Sequence, residues 1–186
     1  ITSSIVNTRV LDGIRDTEAW REVLSRFPYL MSDVYFRPEY VATHRFEAEA
    51  QATMFTYQKS ERIWIYPFLL QPISRIGEHS LDESWFDIQT PYGYGGPLAT
   101  SNDPEFLSGS HQAFTDWCQT RGVVAEFVRF HPLVGNQRWA NPQVECTYDR
   151  ETVSLSLANI ADGNQPFESS ARNMLRRAQR TGMNVI

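Results

Sequence analysis

The stretch AQATMFTYQ-KSE-RIWIYPFLLQ, residues 50–71, decides the fold class. Its two outer runs are rich in β-branched and aromatic residues, and the short polar segment 59–61 separates them. This pattern predicts two strands joined by a turn. Pro67 lies inside the second run and has no N–H to donate to a ladder, which predicts an edge strand or a bulge at that position.

Helical patterns flank this pair of strands on both sides. Upstream, Asp16 precedes apolar residues at helical spacing as far as Phe27, and Pro38 suits the first turn of a second helix. Downstream, Asp103 suits the N-cap of a long amphipathic helix, and Gly122 suits its end. A last amphipathic helix is predicted around residues 167–178.

Further strands are predicted at residues 85–90, 123–130, 144–148 and 152–157. The run 123–130 is almost continuously apolar, which is typical of a strand covered on both faces. Strands and helices in this order indicate a mixed sheet with helices packed on it. The predicted fold class is therefore α/β, or α+β.

Composition and charge exclude several classes of protein. Of 186 residues, 41% are apolar and 13% aromatic, which excludes a disordered chain. No apolar run approaches the roughly 20 residues that span a bilayer. The net charge of −5 argues against DNA as a partner. The histidines are dispersed without ligand spacing, so no metal site is predicted, and Cys118 and Cys146 are expected to be free buried thiols.

The segment DIQTPYGYGGP, residues 87–97, is a candidate binding loop. Its glycines let the backbone approach a ligand, its prolines stiffen the loop, and its tyrosines offer flat faces with a hydroxyl tip. These features predict a preformed wall for a sugar, nucleotide or peptide. The alternative is a tight turn with two packed tyrosines. The candidate substrate-binding residues are Asp87, Tyr92, Gly93, Tyr94 and Gly95.

The segment EFVRFHP, residues 126–132, carries three further candidates. In a strand, Glu126 shares a face with its valine neighbours, while Arg129 and His131 share the other face. Open α/β sheets bind ligands at the carboxyl ends of strands, so Arg129 is a candidate for holding a phosphate or carboxylate. Glu126 and His131 are candidates for proton transfer, although no catalytic residue is assigned. Alternatively, Glu126 and Arg129 satisfy structural partners and His131 caps a turn.

The last predicted helix places Arg172, Arg176 and Arg180 at positions i, i+4 and i+8, on one stripe. Such a stripe is a candidate for contact with RNA or another phosphate-bearing partner. The alternative is a solvated face that the helix dipole favours.

The two ends of the chain suggest a fragment. The apolar run 183–186 directly follows Gly182, a residue typical of helix ends, and this pattern is typical of a strand that is beginning. We therefore expect the sequence to belong to a longer protein. No basic-then-apolar leader is visible, so a cytoplasmic location is expected.

Several of these motifs together resemble the FemAB-like branch of the GNAT acyltransferase superfamily. They are YPFLL at 66–70, DI at 87–88 with TPYGYGGP at 90–97, EFVRFHPL at 126–133 with Asn136, and RNMLRRA at 172–178. The resemblance covers most of the chain from about Trp20 onward. It implies the N-terminal half of a tandem GNAT pair, with an α/β mixed sheet and helices on both faces. Residues 1–157 would form this domain, and residues 158–186 a linking helix and the start of the second.

The resemblance also implies an activity. Such proteins transfer an acyl or aminoacyl group, from acyl-coenzyme A or aminoacyl-tRNA, onto an amine of a cell-wall peptidoglycan or surface-glycan precursor in the bacterial cytoplasm. Their donor site and catalytic groups lie largely in the second domain, so no bound cofactor is expected here and this chain alone should be inactive. The alternative is a non-catalytic glycan- or peptide-binding module with a degenerate GNAT fold. Contact with tRNA through the arginine stripe is a third option.

Overall fold

The fold is described from a computed structural model, which describes residues 5–45, 49–155, 157–158 and 167–183. The strands are β1 (Val6–Asp12), β2 (Gln51–Lys59), β3 (Arg62–Ile76), β4 (His79–Gln89), β5 (Leu98–Ala99) and β6 (Val123–Phe127). The α-helices are α1 (Thr17–Leu24), α2 (Pro38–Thr43), α3 (Pro104–Arg121) and α4 (Ser169–Arg180). The chain divides into two compact units between Thr147 and Tyr148, and α4 lies in the second unit.

The first unit is built on a six-stranded sheet. Its strands lie in the order β1-β2-β3-β4-β6, and β5 pairs with β3 beside the start of that strand. Neighbouring strands are antiparallel except for β4 and β6, which are parallel and are connected through α3. This arrangement confirms the prediction of an α/β fold with a mixed sheet.

Helices cover both faces of this sheet. Phe55 of β2 and Tyr66 of β3 each bring their ring centroids to 5.3 Å from that of Phe114 on α3. Ala52 points to the opposite face because strand side chains alternate, and it lies near Trp20 of α1. Trp20 is fully buried, and its indole N–H donates to the carbonyl of Phe36 at 2.9 Å.

The helix ends predicted from capping residues are confirmed for α3 but not for α1. Asp103 caps α3 by accepting from the Phe106 N–H at 2.8 Å, and Gly122 ends the helix with a φ of 77°, as predicted. Asp16 stands before α1, but its carboxylate accepts from the Asp12 N–H at 2.9 Å and makes no bond to the helix. The helix also ends at Leu24.

Three predictions about strands need correction. Pro67 does not lie on an edge strand: it is opposite Met54 of β2, at the point where the other flank of β3 changes partner from β5 to β4. Strand β6 is shorter than predicted and lies at a sheet edge, where Val124 is 58% exposed, because no strand in the described part of the chain pairs with its outer side. Residues 144–148 and 152–155 form no strand. Across the described ranges, we find no helix with the length and apolarity to cross a membrane.

Candidate functional site

The predicted binding loop lies at the carboxyl end of the parallel pair β4 and β6. The Gly95 N–H donates to the carbonyl of Arg129 at 2.8 Å, and the Arg129 N–H donates to the hydroxyl of Thr90 at 3.1 Å. The Thr90 N–H donates to the carbonyl of Phe127 at 3.1 Å. These bonds join the loop that leaves β4 to the segment that leaves β6, so the two candidate segments form one surface.

Asn136 holds this junction from inside. Its side chain is fully buried and its amide N–H groups donate to the carbonyl of Gly95 at 2.7 Å and to that of Pro97 at 3.1 Å. Its amide oxygen accepts from the His131 N–H at 2.8 Å. One side chain therefore satisfies backbone groups from both segments, which fixes the loop before any ligand binds.

Tyr94 and Gly93 pack the loop against the segment before α2. The ring of Tyr94 makes an edge contact with the ring of Tyr35 and a tilted contact with the ring of His131, at centroid distances of 5.4 Å and 5.5 Å. Gly93 has a φ of +94°, and a Cβ at this position would lie 2.5 Å from the ring of Tyr35. Glycine is required here by backbone conformation and by close approach together. Tyr94 is therefore a packed tyrosine, as in the alternative interpretation of this loop as a tight turn.

Tyr92 and Arg129 are the exposed side chains among the predicted substrate-binding residues. Tyr92 is 75% exposed, and its carbonyl accepts a hydrogen bond from the hydroxyl of Tyr40 at 2.8 Å. The guanidinium of Arg129 is exposed and lies 4.8 Å from the centre of the Phe127 ring, an arrangement that restrains the side chain. The surface thus offers an aromatic face and a cation whose N–H groups donate to no residue in the described part of the chain.

His131 lies beneath this surface, and both of its ring nitrogens have partners. Its Nδ1 accepts from the N–H groups of Leu133 and Val134 at 3.2 Å and 3.3 Å, so the proton is assigned to Nε2, which donates to Asp33 Oδ2 at 3.1 Å. The residue is only 2% exposed. In this arrangement neither nitrogen is available to take a proton from a substrate, and His131 caps the turn that follows β6.

Glu126 faces the other side of the sheet from the Phe127 ring, because side chains alternate along β6. It lines a cavity of about 260 Å³ between α3 and strands β3 and β6, together with Tyr66 and Cys118. Burial raises the pKa of the Glu126 carboxyl. Burial, and after it the charge of Glu126, raises the pKa of the Tyr66 hydroxyl well above its usual value. The same causes raise the pKa of the Cys118 thiol to about 12.

The remaining predicted residues are dispersed. Asp87 is half-buried on β4, between Gln71 of β3 and Ala125 of β6, and the alternation of side chains places it on the opposite face from Glu126. Three arginines are exposed on α4 in the second unit, and their contact with RNA stays a prediction: Arg172, Arg176 and Arg180.

The cysteines differ from the prediction in part. Both are free, but only Cys118 is partly buried, whereas Cys146 is exposed. The prediction of a buried thiol is therefore wrong for Cys146, because the predicted strand around it does not form. Within the described residues, no three His, Cys, Asp or Glu side chains come together as a metal site would require.

Two features of this region were missed by sequence reasoning. The first is the anchoring role of Asn136, whose partners lie about forty positions upstream. The second is the meeting of Tyr66 with Glu126, which depends on the order β3-β4-β6. The available signal was the alternation of Glu126 with valines, which placed its carboxyl on an apolar face. Comparison of the chain with protein-family models, curated proteins and solved structures gives no match.

Proposed function

We propose that this chain is part of an acyl- or aminoacyltransferase of the GNAT type, similar to the FemAB-like branch, acting on an amine of a cell-wall or surface-glycan precursor. A mixed sheet with helices on both faces is the arrangement that this resemblance implies. The proposal places the reaction in the bacterial cytoplasm, with acyl-coenzyme A or aminoacyl-tRNA as the donor.

The observation that carries the proposal is the surface formed by Tyr92 and Arg129. It lies at the carboxyl end of the parallel strands, where sheets of this class bind ligands. A tyrosine face stacks on sugars and bases, and an arginine fork binds phosphates or carboxylates in two-point contact. A nucleotide-linked muropeptide carries all of these groups, so this surface suits the acceptor of the reaction.

The chemistry of transfer requires a neutral amine to attack a thioester or ester, and a group or water chain to take the proton. In the described residues, His131 has both nitrogens engaged and Glu126 lies on the other face of the sheet. We therefore assign to this chain the binding and orientation of the acceptor. Donor binding and proton transfer are proposed for groups outside this surface.

Isothermal titration with a UDP-linked muropeptide tests the proposal. Tyr92→Ala and Arg129→Ala should each weaken binding about tenfold, because one removes a stacking face and the other a charged fork. Tyr29→Ala and Arg9→Ala are matched controls, since both residues are exposed and neither lies on this surface. Equal affinities for the wild type and all four variants would contradict the proposal.

A non-catalytic glycan- or peptide-binding module is the second candidate. It is favoured by the engagement of both His131 nitrogens, because His131 is then not available as an acid–base group beside Tyr92 and Arg129. Mass spectrometry of the acceptor after incubation with acyl-coenzyme A or aminoacyl-tRNA separates the two functions. The full-length protein should add the mass of an acyl or aminoacyl group if it is a transferase, and should bind without any mass change if it is a module.

Contact with tRNA through α4 is a separate part of the proposal. Replacing Arg172, Arg176 and Arg180 together by glutamine should weaken tRNA binding and reduce its dependence on salt, because each phosphate contact releases counterions. Binding by the wild type should fall steeply between about 50 and 200 mM salt. A flat response to salt would remove tRNA from the list of partners.

A further inference from the structure

A cavity on the α3 side of the sheet is built like a small-molecule site. Its volume of about 260 Å³ lies near the lower end of the range for such sites, roughly 300–1,000 Å³. Trp64 and Phe114 supply aromatic walls, Val124 lines it from β6, and Val128 lines it from just after that strand. Of the loop 90–97, only Pro97 lines this cavity, so the cavity is separate from the surface of Tyr92 and Arg129.

Two of the polar side chains that line this space, Tyr66 and Glu126, lie side by side. The Tyr66 hydroxyl is buried, and its oxygen accepts no hydrogen bond within the described residues. Such an oxygen in a cavity is open to a donor from a ligand. The Glu126 carboxyl is near enough to act on it electrostatically.

The charges of the lining are unbalanced. Glu126 is an exposed residue of the edge strand, yet its side chain lines the cavity, and partial burial of its carboxyl there raises its pKa. Among the described residues, no lysine or arginine forms an ion pair with it. His111 also lines the cavity, but its Nε2–H donates to the carbonyl of Trp139 at 3.0 Å and burial lowers its pKa. Within the described lining, the Glu126 carboxyl therefore has no cationic partner.

We propose that this cavity binds a small organic cation, a primary ammonium group on an aromatic or short aliphatic body. The ammonium would donate to the Glu126 carboxylate and to the Tyr66 hydroxyl oxygen, supplying a counter-ion to the first and a donor to the second. The aromatic walls attract cations and bury the apolar body. A carboxylate of the same shape would be repelled by Glu126, and a neutral alcohol would leave the carboxylate without a counter-ion.

Phenethylamine, 2-phenylethanol and phenylacetate share one body and differ in charge, so titrating each at pH 8 tests the proposal. Calorimetry or tryptophan fluorescence should show that phenethylamine binds at least about tenfold more tightly than 2-phenylethanol. Phenylacetate should not bind. Glu126→Gln should remove the advantage of the amine over the alcohol, and Tyr66→Phe should weaken amine binding several-fold.

Glu22→Gln is the matched control, because Glu22 is exposed on α1 and does not line the cavity. It should leave the affinity for phenethylamine unchanged. Circular dichroism should show that all variants keep the fold of the wild type. Equal binding of amine and alcohol, unchanged amine binding in Glu126→Gln, or no binding of phenethylamine, cyclohexylamine or butylamine at millimolar concentration would overturn the proposal. None of these results bears on the titrations with muropeptide, which probe the other surface.

Discussion

Replacing Asn136 by alanine tests how the binding loop is held. The change removes three hydrogen bonds, two donated to the carbonyls of Gly95 and Pro97 and one accepted from the His131 N–H, all in a fully buried place. Each bond contributes roughly 0.5–1.5 kcal/mol net, and buried groups left without partners cost roughly 1–3 kcal/mol. We expect Asn136→Ala to lower the free energy of unfolding by roughly 3–5 kcal/mol.

Urea denaturation followed by tryptophan fluorescence measures this loss. Asn102→Ala is the matched control, because Asn102 lies at an exposed position and its side-chain oxygen accepts one bond, from the Trp139 indole N–H at 2.6 Å. The control should lose only about 1 kcal/mol. The reasoning is refuted if Asn136→Ala costs no more than Asn102→Ala, since the three bonds would then contribute nothing beyond a single part-buried one.

Three further predictions concern stability and reactivity. Glu126→Gln should stabilise the protein more at pH 7 than at about pH 4, because the raised pKa of Glu126 makes the wild type lose stability as pH rises through that pKa. Gly93→Ala should cost roughly 2 kcal/mol or more in urea denaturation, because its φ is +94° and its Cβ would meet the Tyr35 ring. Cys146 should react with a disulfide reagent in the native protein, whereas Cys118, with a pKa of about 12, should react only after unfolding.

Each of these three predictions would be contradicted by a specific result. A gain from Glu126→Gln that is equal at both pH values would show that ionisation of this carboxyl costs the fold nothing. Gly77→Ala controls for backbone strain alone, because its φ is +60° and no atom lies within 4 Å of the added Cβ. A loss in Gly93→Ala equal to that control would exclude the contact with Tyr35. Equal native reactivity of both thiols would contradict the burial of Cys118.

The sequence predicts best those features that depend on neighbouring residues. Both ends of α3 follow from Asp103 and Gly122, whose effects act within one turn of the helix. The strands β2 and β3 follow from alternation and composition in the same way. Burial of β6 was predicted wrongly because an apolar run indicates a covered strand, whereas the strand order places β6 at an edge, which no local pattern encodes.

In the candidate site, too, features set by neighbouring residues were predicted and features set by distant contacts were not. The loop 90–97 and the residues after β6 were predicted to bind ligands at the carboxyl end of a strand, and the structure brings them together through Gly95 and Arg129. The burial of His131 and its bond to Asp33 required contacts between residues almost a hundred positions apart. The pairing of Tyr66 with Glu126 required knowledge of which strands are neighbours. Tertiary topology, which no single motif carries, decided both.

Gly122 is the entire joint between α3 and β6, and its carbonyl accepts the Phe86 N–H at 3.0 Å, which pins the joint to β4. Successive side chains along β6 point to opposite faces of the sheet, so the position of this connection decides which face each of them takes. Inserting or deleting one residue at the joint would swap the acid of Glu126 for the ring of Phe127. The cavity would lose its carboxyl group, which would move to the opposite face of the sheet. The number of residues between α3 and β6 therefore decides whether a carboxyl or an aromatic ring faces the cavity, even when no residue of β6 is changed.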